Sequence, residues 1–119
     1  MMNNQEAFER SVTGLFNQGV RSFVGDVPTY HRCDGRKCAI GMLIPDELYD
    51  KEIEGRTVGS LYDDGYCYDI FDSVSRELLR ELQLIHDSWS VDNWYEEFRR
   101  VGIAYDLDVE FMDRLPQLL

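Results

Sequence analysis

The chain has 119 residues, of which 44% are apolar and 13% aromatic, so it can bury one hydrophobic core but not two. This composition argues against an intrinsically disordered chain, and no run approaches the roughly 20 apolar residues of a transmembrane helix. The start, Met-Met-Asn-Asn-Gln-Glu, lacks the basic and apolar regions of a signal peptide, and the three cysteines suit reduced thiols. We therefore expect residues 1–119 to form a single acidic globular domain in the cytoplasm.

Charge is distributed unevenly along the chain. Twenty-three acids and twelve bases give a net charge of −11, yet residues 1–45 carry a net charge of +1 and residues 46–119 one of −12. Such a field repels nucleic acids and anionic membranes and attracts basic surfaces. It predicts a partner with a basic protein surface and no direct contact with nucleic acid or membrane. The alternative is that the excess acid only keeps the protein soluble.

The first predicted element is a helix that ends near Gly19. Asn3 or Asn4 can cap its start, and a glycine suits its C-terminal exit. Four apolar residues at i, i+4, i+7 and i+8 share one face of this helix, namely Phe8, Val12, Leu15 and Phe16. Residues 20–24 are short, β-branched and bounded by Gly25-Asp26, which predicts a strand or an extended connection.

Asp34-Gly35 is a strong turn signal and predicts a β-hairpin with a two-residue loop. In that register three pairs of residues face each other, namely Cys33 with Arg36, Arg32 with Lys37, and His31 with Cys38. Because side chains alternate along a strand, His31, Cys33, Arg36 and Cys38 would then lie on one face of the hairpin.

Between residues 45 and 65 the sequence predicts short elements. Pro45-Asp46-Glu47 is typical of a helix start with proline in the first turn, and Glu54-Gly55 must end that helix. Residues 57–61 are predicted as a brief linker or an edge strand. Asp63-Asp64-Gly65 is predicted as a turn.

A long helical pattern begins at Asp69. Its apolar stripe has spacings of three and four and comprises Phe71, Val74, Leu78, Leu82, Ile85 and Trp89. Ser90 ends this helix and caps the next, whose apolar face comprises Trp94, Phe98, Val101 and Tyr105. A last short helix is predicted over residues 109–115. The whole pattern predicts a mainly helical α+β fold, in which a small antiparallel β-hairpin packs against about four to five helices.

Residues 32–49, with the sequence Arg-Cys-Asp-Gly-Arg-Lys-Cys-Ala-Ile-Gly-Met-Leu-Ile-Pro-Asp-Glu-Leu-Tyr, are followed by Glu54-Gly55 and Val58. This string resembles a family of small proteins from bacteriophages and prophages, over roughly residues 30–61. The resemblance implies a phage-type genome and the cytoplasm of a host cell, and it assigns no functional residue. By analogy with other small acidic phage proteins, it implies an inhibitor of host defence.

The histidines and cysteines are the candidates for chemistry. His31, Cys33 and Cys38, with Cys67, suggest a zinc site, but their spacing lacks paired Cys-x2-Cys knuckles. Since free cysteines commonly pack as small hydrophobes, we predict no metal and no cofactor. Cys38 beside His31 is the one candidate nucleophile pair, and the sequence supplies no orienting third group. His86 is predicted as a capping or half-buried structural residue near a helix end.

Residues 46–72 combine nine acids and two bases with interleaved tyrosines. Acids beside exposed tyrosines are typical of a protein interface, where rigid aromatic anchors and a charged field act together. The predicted contact residues are Asp46, Glu47, Asp50, Glu52, Glu54, Tyr62, Asp63, Asp64 and Tyr66. The alternative is that the tyrosines pack inward and only the acids face water.

The sequence therefore predicts a non-enzymatic acidic binding protein. Together with the resemblance, it favours a phage-encoded inhibitor of a host defence machine, such as a CRISPR effector complex. Its carboxylates would replace phosphates in a basic nucleic-acid-binding groove of that complex. Two alternatives stay open, namely a phage structural or regulatory interaction protein and a small zinc- or thiol-dependent enzyme.

Overall fold

Five α-helices and a two-stranded antiparallel sheet make up the fold in the computed structural model, which describes residues 2–66 and 69–117. The helices are α1 (Asn4–Gln18), α2 (Val58–Asp63), α3 (Asp69–Ser73), α4 (Arg76–Ser88) and α5 (Trp94–Ala104), and the strands are β1 (Phe23–Val24) and β2 (Val27–Pro28). Short 3-10 turns lie at Gly41–Leu43, Asp46–Leu48, Lys51–Ile53, Val91–Asn93 and Glu110–Arg114. This architecture confirms the predicted mainly helical α+β class. Across these two described ranges, no helix has the length and apolar character needed to cross a bilayer.

Helix α1 begins and ends where its capping residues predict. The Asn3 side chain accepts a hydrogen bond from the Glu6 backbone N–H at 2.9 Å. Gly19 takes a left-handed conformation with φ 75° and donates its N–H to the Leu15 carbonyl, which closes the C-terminal end. The whole predicted apolar face is buried in the core, as shown by Phe8, Val12, Leu15 and Phe16.

The β-hairpin is not where Asp34-Gly35 predicts it. The two strands pair Phe23 with Pro28 and Val24 with Val27, so Gly25-Asp26 forms the two-residue loop. The alternative that residues 20–24 contain a strand is therefore confirmed for its last two residues.

Around Asp34-Gly35 the chain makes only one β-bridge, between His31 and Lys37, so the predicted register was wrong by one residue. Arg32 faces Arg36 instead, because its N–H donates to the Arg36 carbonyl at 2.8 Å. The loop has three residues and ends on Gly35 at φ 93°, a conformation that glycine tolerates. The shift separates the two cysteines, leaving Cys33 exposed and Cys38 buried.

The stretch from residue 45 to residue 65 is only partly as predicted. The expected short helix after Pro45 is present as two 3-10 turns, and Gly55 follows the second of them. The prediction of a linker or edge strand over residues 57–61 was wrong, because α2 occupies this stretch. Thr57 caps α2 by accepting the Ser60 N–H at 3.1 Å, and Val58 and Leu61 are buried one turn apart.

The long helix predicted from Asp69 is two helices, α3 and α4, with a break at Ser75. The Ser75 hydroxyl accepts the Leu78 N–H at 3.3 Å and so caps α4. The Ser75 N–H donates to the Asn4 side chain at 2.8 Å, a tertiary contact that holds the break in place. The predicted apolar stripe is buried except at Trp89, which is 41% exposed because α4 ends at Ser88.

Helix α5 and the turn after it close the core against α1. Trp94, Phe98 and Val101 are buried as predicted. Gly102 lets the chain approach closely, since a Cβ there would lie 2.6 Å from Phe8 Cζ. The Phe8 ring packs edge to face on Phe111 at a centroid distance of 5.6 Å.

Two hydrogen bonds between the Gln5 side chain and the Asp108 backbone also hold the chain after α5 against α1. The Gln5 amide donates to the Asp108 carbonyl at 2.9 Å and accepts the Asp108 N–H at 2.8 Å. Two hydrogen bonds from one side chain thereby fix the chain after α5 against the first turn of α1.

Candidate partner-binding surface

The acidic segment, residues 45–52, carries four of the nine predicted contact residues. Its two consecutive 3-10 turns leave Asp46, Glu47, Asp50 and Glu52 exposed to solvent. Leu48 is 57% exposed at the end of the first turn, between the acids. An exposed apolar side chain in a stretch with four exposed carboxylates suits an interface with a basic partner.

Two of these four acids have defined roles within the chain. Asp46 pairs with the Lys37 ammonium at 2.9 Å and lies 3.6 Å from His31 Nδ1. The hydrogen bond from Lys37 and its positive charge hold the pKa of Asp46 below its usual value. Asp50 accepts the Glu52 N–H at 2.9 Å and so caps the second turn.

Glu47 and Glu52 are the acids that remain available. Neither carboxylate has a cation partner among the residues that the structure describes. Glu47 precedes Leu48 directly and Glu52 follows it by four residues, so the segment carries an exposed apolar side chain near two acids that form no ion pair among the described residues. Leu48 was missed by the sequence interpretation, and the signal for it was an isolated leucine within an acidic run.

Glu54 connects the acidic segment to residues 30 and 31 through hydrogen bonds. Its carboxylate accepts the N–H groups of Tyr30 and His31 at 2.8 and 3.0 Å, and it also bonds the Tyr49 hydroxyl. The Tyr49 ring stacks on the His31 ring at 4.3 Å between centroids. With three donors from its own chain, this carboxylate stabilises the local fold rather than facing a partner.

The remaining four predicted contact residues form a separate cluster around α2, in which arginines neutralise the acids. Asp63 pairs with Arg76 at 3.3 Å, and Asp64 pairs with Arg56. The same two guanidinium groups also cover aromatic rings, Arg76 over Tyr62 and Arg56 over Tyr66.

The tyrosines of this cluster are half-buried and pack against the core. The Tyr62 hydroxyl donates to the Val74 carbonyl at 3.3 Å. This geometry agrees with the alternative in which the tyrosines pack inward. The acidic segment and the cluster around α2 therefore differ in charge compensation, and only the acidic segment combines free carboxylates with an exposed apolar side chain.

The structure also places the residues that suggested zinc or thiol chemistry. Cys38 is buried, its sulfur accepts the Gly41 N–H at 3.4 Å, and burial raises the pKa of its thiol to about 12. A raised pKa disfavours the thiolate that a nucleophile needs. In residues 2–66 and 69–117, no group of three or more His, Cys, Asp or Glu side chains could hold a metal ion. Cys67 lies outside the described residues.

His86 has a structural role, but it is fully buried rather than half-buried as predicted. Its Nε2 accepts the Ser22 N–H at 3.0 Å, so the ring proton lies on Nδ1, which is 2.7 Å from the Asp87 carboxylate. The imidazole thereby ties the chain before β1 to the last turn of α4.

Comparison with known proteins assigns no function to this chain, so its candidate site is argued from the geometry described above. The resemblance of residues 32–49 to phage proteins stays a prediction. No protein-family model, no curated protein and no solved structure matches the chain.

Proposed function

We propose that this protein is a non-enzymatic inhibitor whose acidic segment docks on the basic, nucleic-acid-binding surface of another protein. One observation carries the proposal. Leu48 is 57% exposed between Glu47 and Glu52, whose carboxylates have no cation partner among the described residues.

Two features of the acidic segment would contribute to binding, namely its free carboxylates and the exposed Leu48. The free carboxylates match lysine and arginine side chains that otherwise hold phosphates, and the net charge of −11 steers the encounter. Burial of the exposed part of Leu48 in an apolar pocket of the partner contributes about 1–2 kcal/mol. Charge sets the association rate, while the leucine and the carboxylates beside it slow dissociation.

The class of partner follows from what an acidic surface can block. A protein that holds nucleic acid in a basic groove loses that function when carboxylates occupy the groove. With the resemblance to phage proteins, we propose a host defence complex of this kind, such as a CRISPR effector, in the cytoplasm of the host cell. The partner is thus a basic protein surface, and neither nucleic acid nor a membrane is bound directly.

The test uses the purified chain immobilised as bait in a bacterial lysate. Captured proteins are identified and then challenged with duplex DNA, with RNA, or with uncharged dextran. Competition for a phosphate site predicts release by nucleic acid and none by dextran.

Matched variants locate the contact surface. Glu47→Lys with Glu52→Lys, and separately Leu48→Ser, should reduce capture. Glu96→Lys with Glu110→Lys is the control, because it changes the net charge equally at exposed acids outside the segment. If both double variants lose capture equally, net charge alone explains the binding and the acidic segment is not the contact surface. If nucleic acid does not release the captured protein, the competitive mechanism is excluded.

A further inference from the structure

A cleft of about 470 Å³ opens between the β-hairpin, residues 55–59 and α4. Its walls include Val27, Pro28, Arg56, Val58, Arg80 and Leu84. Clefts of this volume are the size that encloses a small organic molecule.

Much of the cleft wall is apolar and accessible. Val27 is 51% exposed and Leu84 is 56% exposed, although both are large aliphatic side chains. Tyr30 and Cys38, both buried, also contribute to the lining. Two aliphatic side chains left in water at a cleft favour a ligand that carries an apolar body.

Arg80 differs from the other charged residues of the cleft. Arg56 is paired with Asp64, and the Asp87 carboxylate already accepts the Gln83 amide at 2.8 Å and contacts His86. The exposed Arg80 side chain has no ion pair and no hydrogen bond within residues 2–66 and 69–117.

The guanidinium of Arg80 reaches helix α2. It lies against Gly59, where a Cβ would come within 2.8 Å of Nη2. A fork of exposed N–H donors thus lies at the wall of the cleft without a protein acceptor among the described residues.

We propose that this cleft binds an apolar carboxylate, with the carboxylate on Arg80 and the apolar body against Val27 and Leu84. A guanidinium bonds a carboxylate through two parallel N–H groups, which fixes orientation as well as charge. The net charge of −11 repels anions at long range, so the local contact and the apolar body must supply the affinity. This site is independent of the acidic segment. A fatty acid and the C-terminus of a peptide that ends in leucine share the required chemistry.

The experiment is a titration of the full chain followed by amide chemical shifts. The probes are octanoate for a fatty acid and N-acetyl-leucine for a peptide terminus. Their neutral counterparts, octanamide and N-acetyl-leucinamide, keep the apolar body and remove the charge. We expect saturable shifts at Val27, Gly59 and Leu84, and a dissociation constant about tenfold lower for a carboxylate than for its amide.

Two arginine variants complete the design. Arg80→Gln should remove the preference for carboxylate over amide, whereas Arg10→Gln, an equal charge change on α1 outside the cleft, should keep it. Preference for octanoate or for N-acetyl-leucine supports the proposal and selects the source.

Three results would overturn the proposal. These are no saturable shift with any probe, equal affinity for carboxylate and amide, and an unchanged preference in Arg80→Gln. The comparison of carboxylate with amide uses the wild-type chain, so it stands even if the variant is unstable.

Discussion

At the scale of single residues, Gly41 has no room for a side chain. A Cβ there would lie 1.9 Å from the Tyr30 carbonyl oxygen, a backbone atom that cannot move aside alone. We predict that Gly41→Ala lowers the free energy of unfolding by about 3 kcal/mol or more, the upper end of the range for overpacking, measured by urea denaturation.

Gly25→Ala is the matched control for this change. Gly25 lies in the hairpin loop at φ 60° with no atom within 4 Å of a Cβ, so its cost is conformational only, about 1–2 kcal/mol. An equal or smaller loss for Gly41→Ala would show that the Tyr30 carbonyl does not restrict this site.

Cys38 predicts a pH dependence of stability. Burial raises the pKa of its thiol to about 12, whereas a thiol in the unfolded chain ionises near 8.5. Between these values the unfolded state releases a proton that the folded state retains, so the free energy of unfolding falls as pH rises from about 8.5. Unfolding in urea between pH 8 and pH 10 should show this slope.

Variants separate Cys38 from other groups in that pH range. Cys38→Ala should reduce the slope by more than Cys33→Ala, the control that removes an exposed thiol. The slope should not vanish, because burial also raises the pKa of Tyr30. Identical slopes for wild type and Cys38→Ala would contradict the assignment.

The sequence predicted the acidic region that contains the candidate site, but not which of its residues are unpaired and exposed. Acids interleaved with tyrosines pointed to residues 46–72, but free and paired carboxylates look the same in sequence. Asp63 and Arg76 are 13 residues apart and lie on separate helices, so the spacing of charges along one helix does not predict their pairing. Exposure of Leu48 likewise depends on the turns that carry it.

At the scale of elements, α4 offers a direct test of which helix face is buried. Leu82 is fully buried and Leu84 is 56% exposed on the same helix. We predict that Leu82→Ala lowers the free energy of unfolding by about 2–5 kcal/mol, whereas Leu84→Ala changes it by less than about 0.5 kcal/mol. Thermal and urea unfolding of both variants measure the difference, and similar losses would mean that the helix is rotated from the orientation described.

Elements with local signals were predictable, and those fixed by tertiary contacts were not. Helix α1 followed its caps, Asn3 and Gly19, because both act within one turn. The hairpin was misplaced because Gly25-Asp26 and Asp34-Gly35 are both turn signals, and the sequence does not say which one joins strands. The break at Ser75 depends on Asn4, which lies 71 residues away in sequence.

At the scale of the whole molecule, the excess of negative charge opposes folding. A net charge of −11 on a chain of 119 residues adds self-repulsion that salt can screen. The Debye length falls from about 10 Å at 0.1 M salt to about 3 Å at 1 M. We therefore predict that the melting temperature rises with sodium chloride over this range, as measured by circular dichroism.

The variant Glu47→Lys with Glu52→Lys tests the origin of that rise. It removes negative charge at exposed positions without breaking an ion pair among the described residues, so its melting temperature should depend less on salt. A melting temperature that falls with salt would mean that pairs such as Arg56 with Asp64 outweigh the repulsion.

The closure of α5 on α1 has a consequence for biosynthesis. Phe8 packs on Gly102 and Phe111, and Phe16 packs on Trp94, so the apolar face of α1 lacks these partners until they have been translated. At ribosomal rates of about 5–20 residues per second, roughly 100 residues take on the order of 5–20 s. During that interval a 15-residue helix, marginal on its own, emerges with its phenylalanines uncovered. We therefore expect the nascent chain to expose apolar surface that chaperones can bind until α5 has left the ribosome.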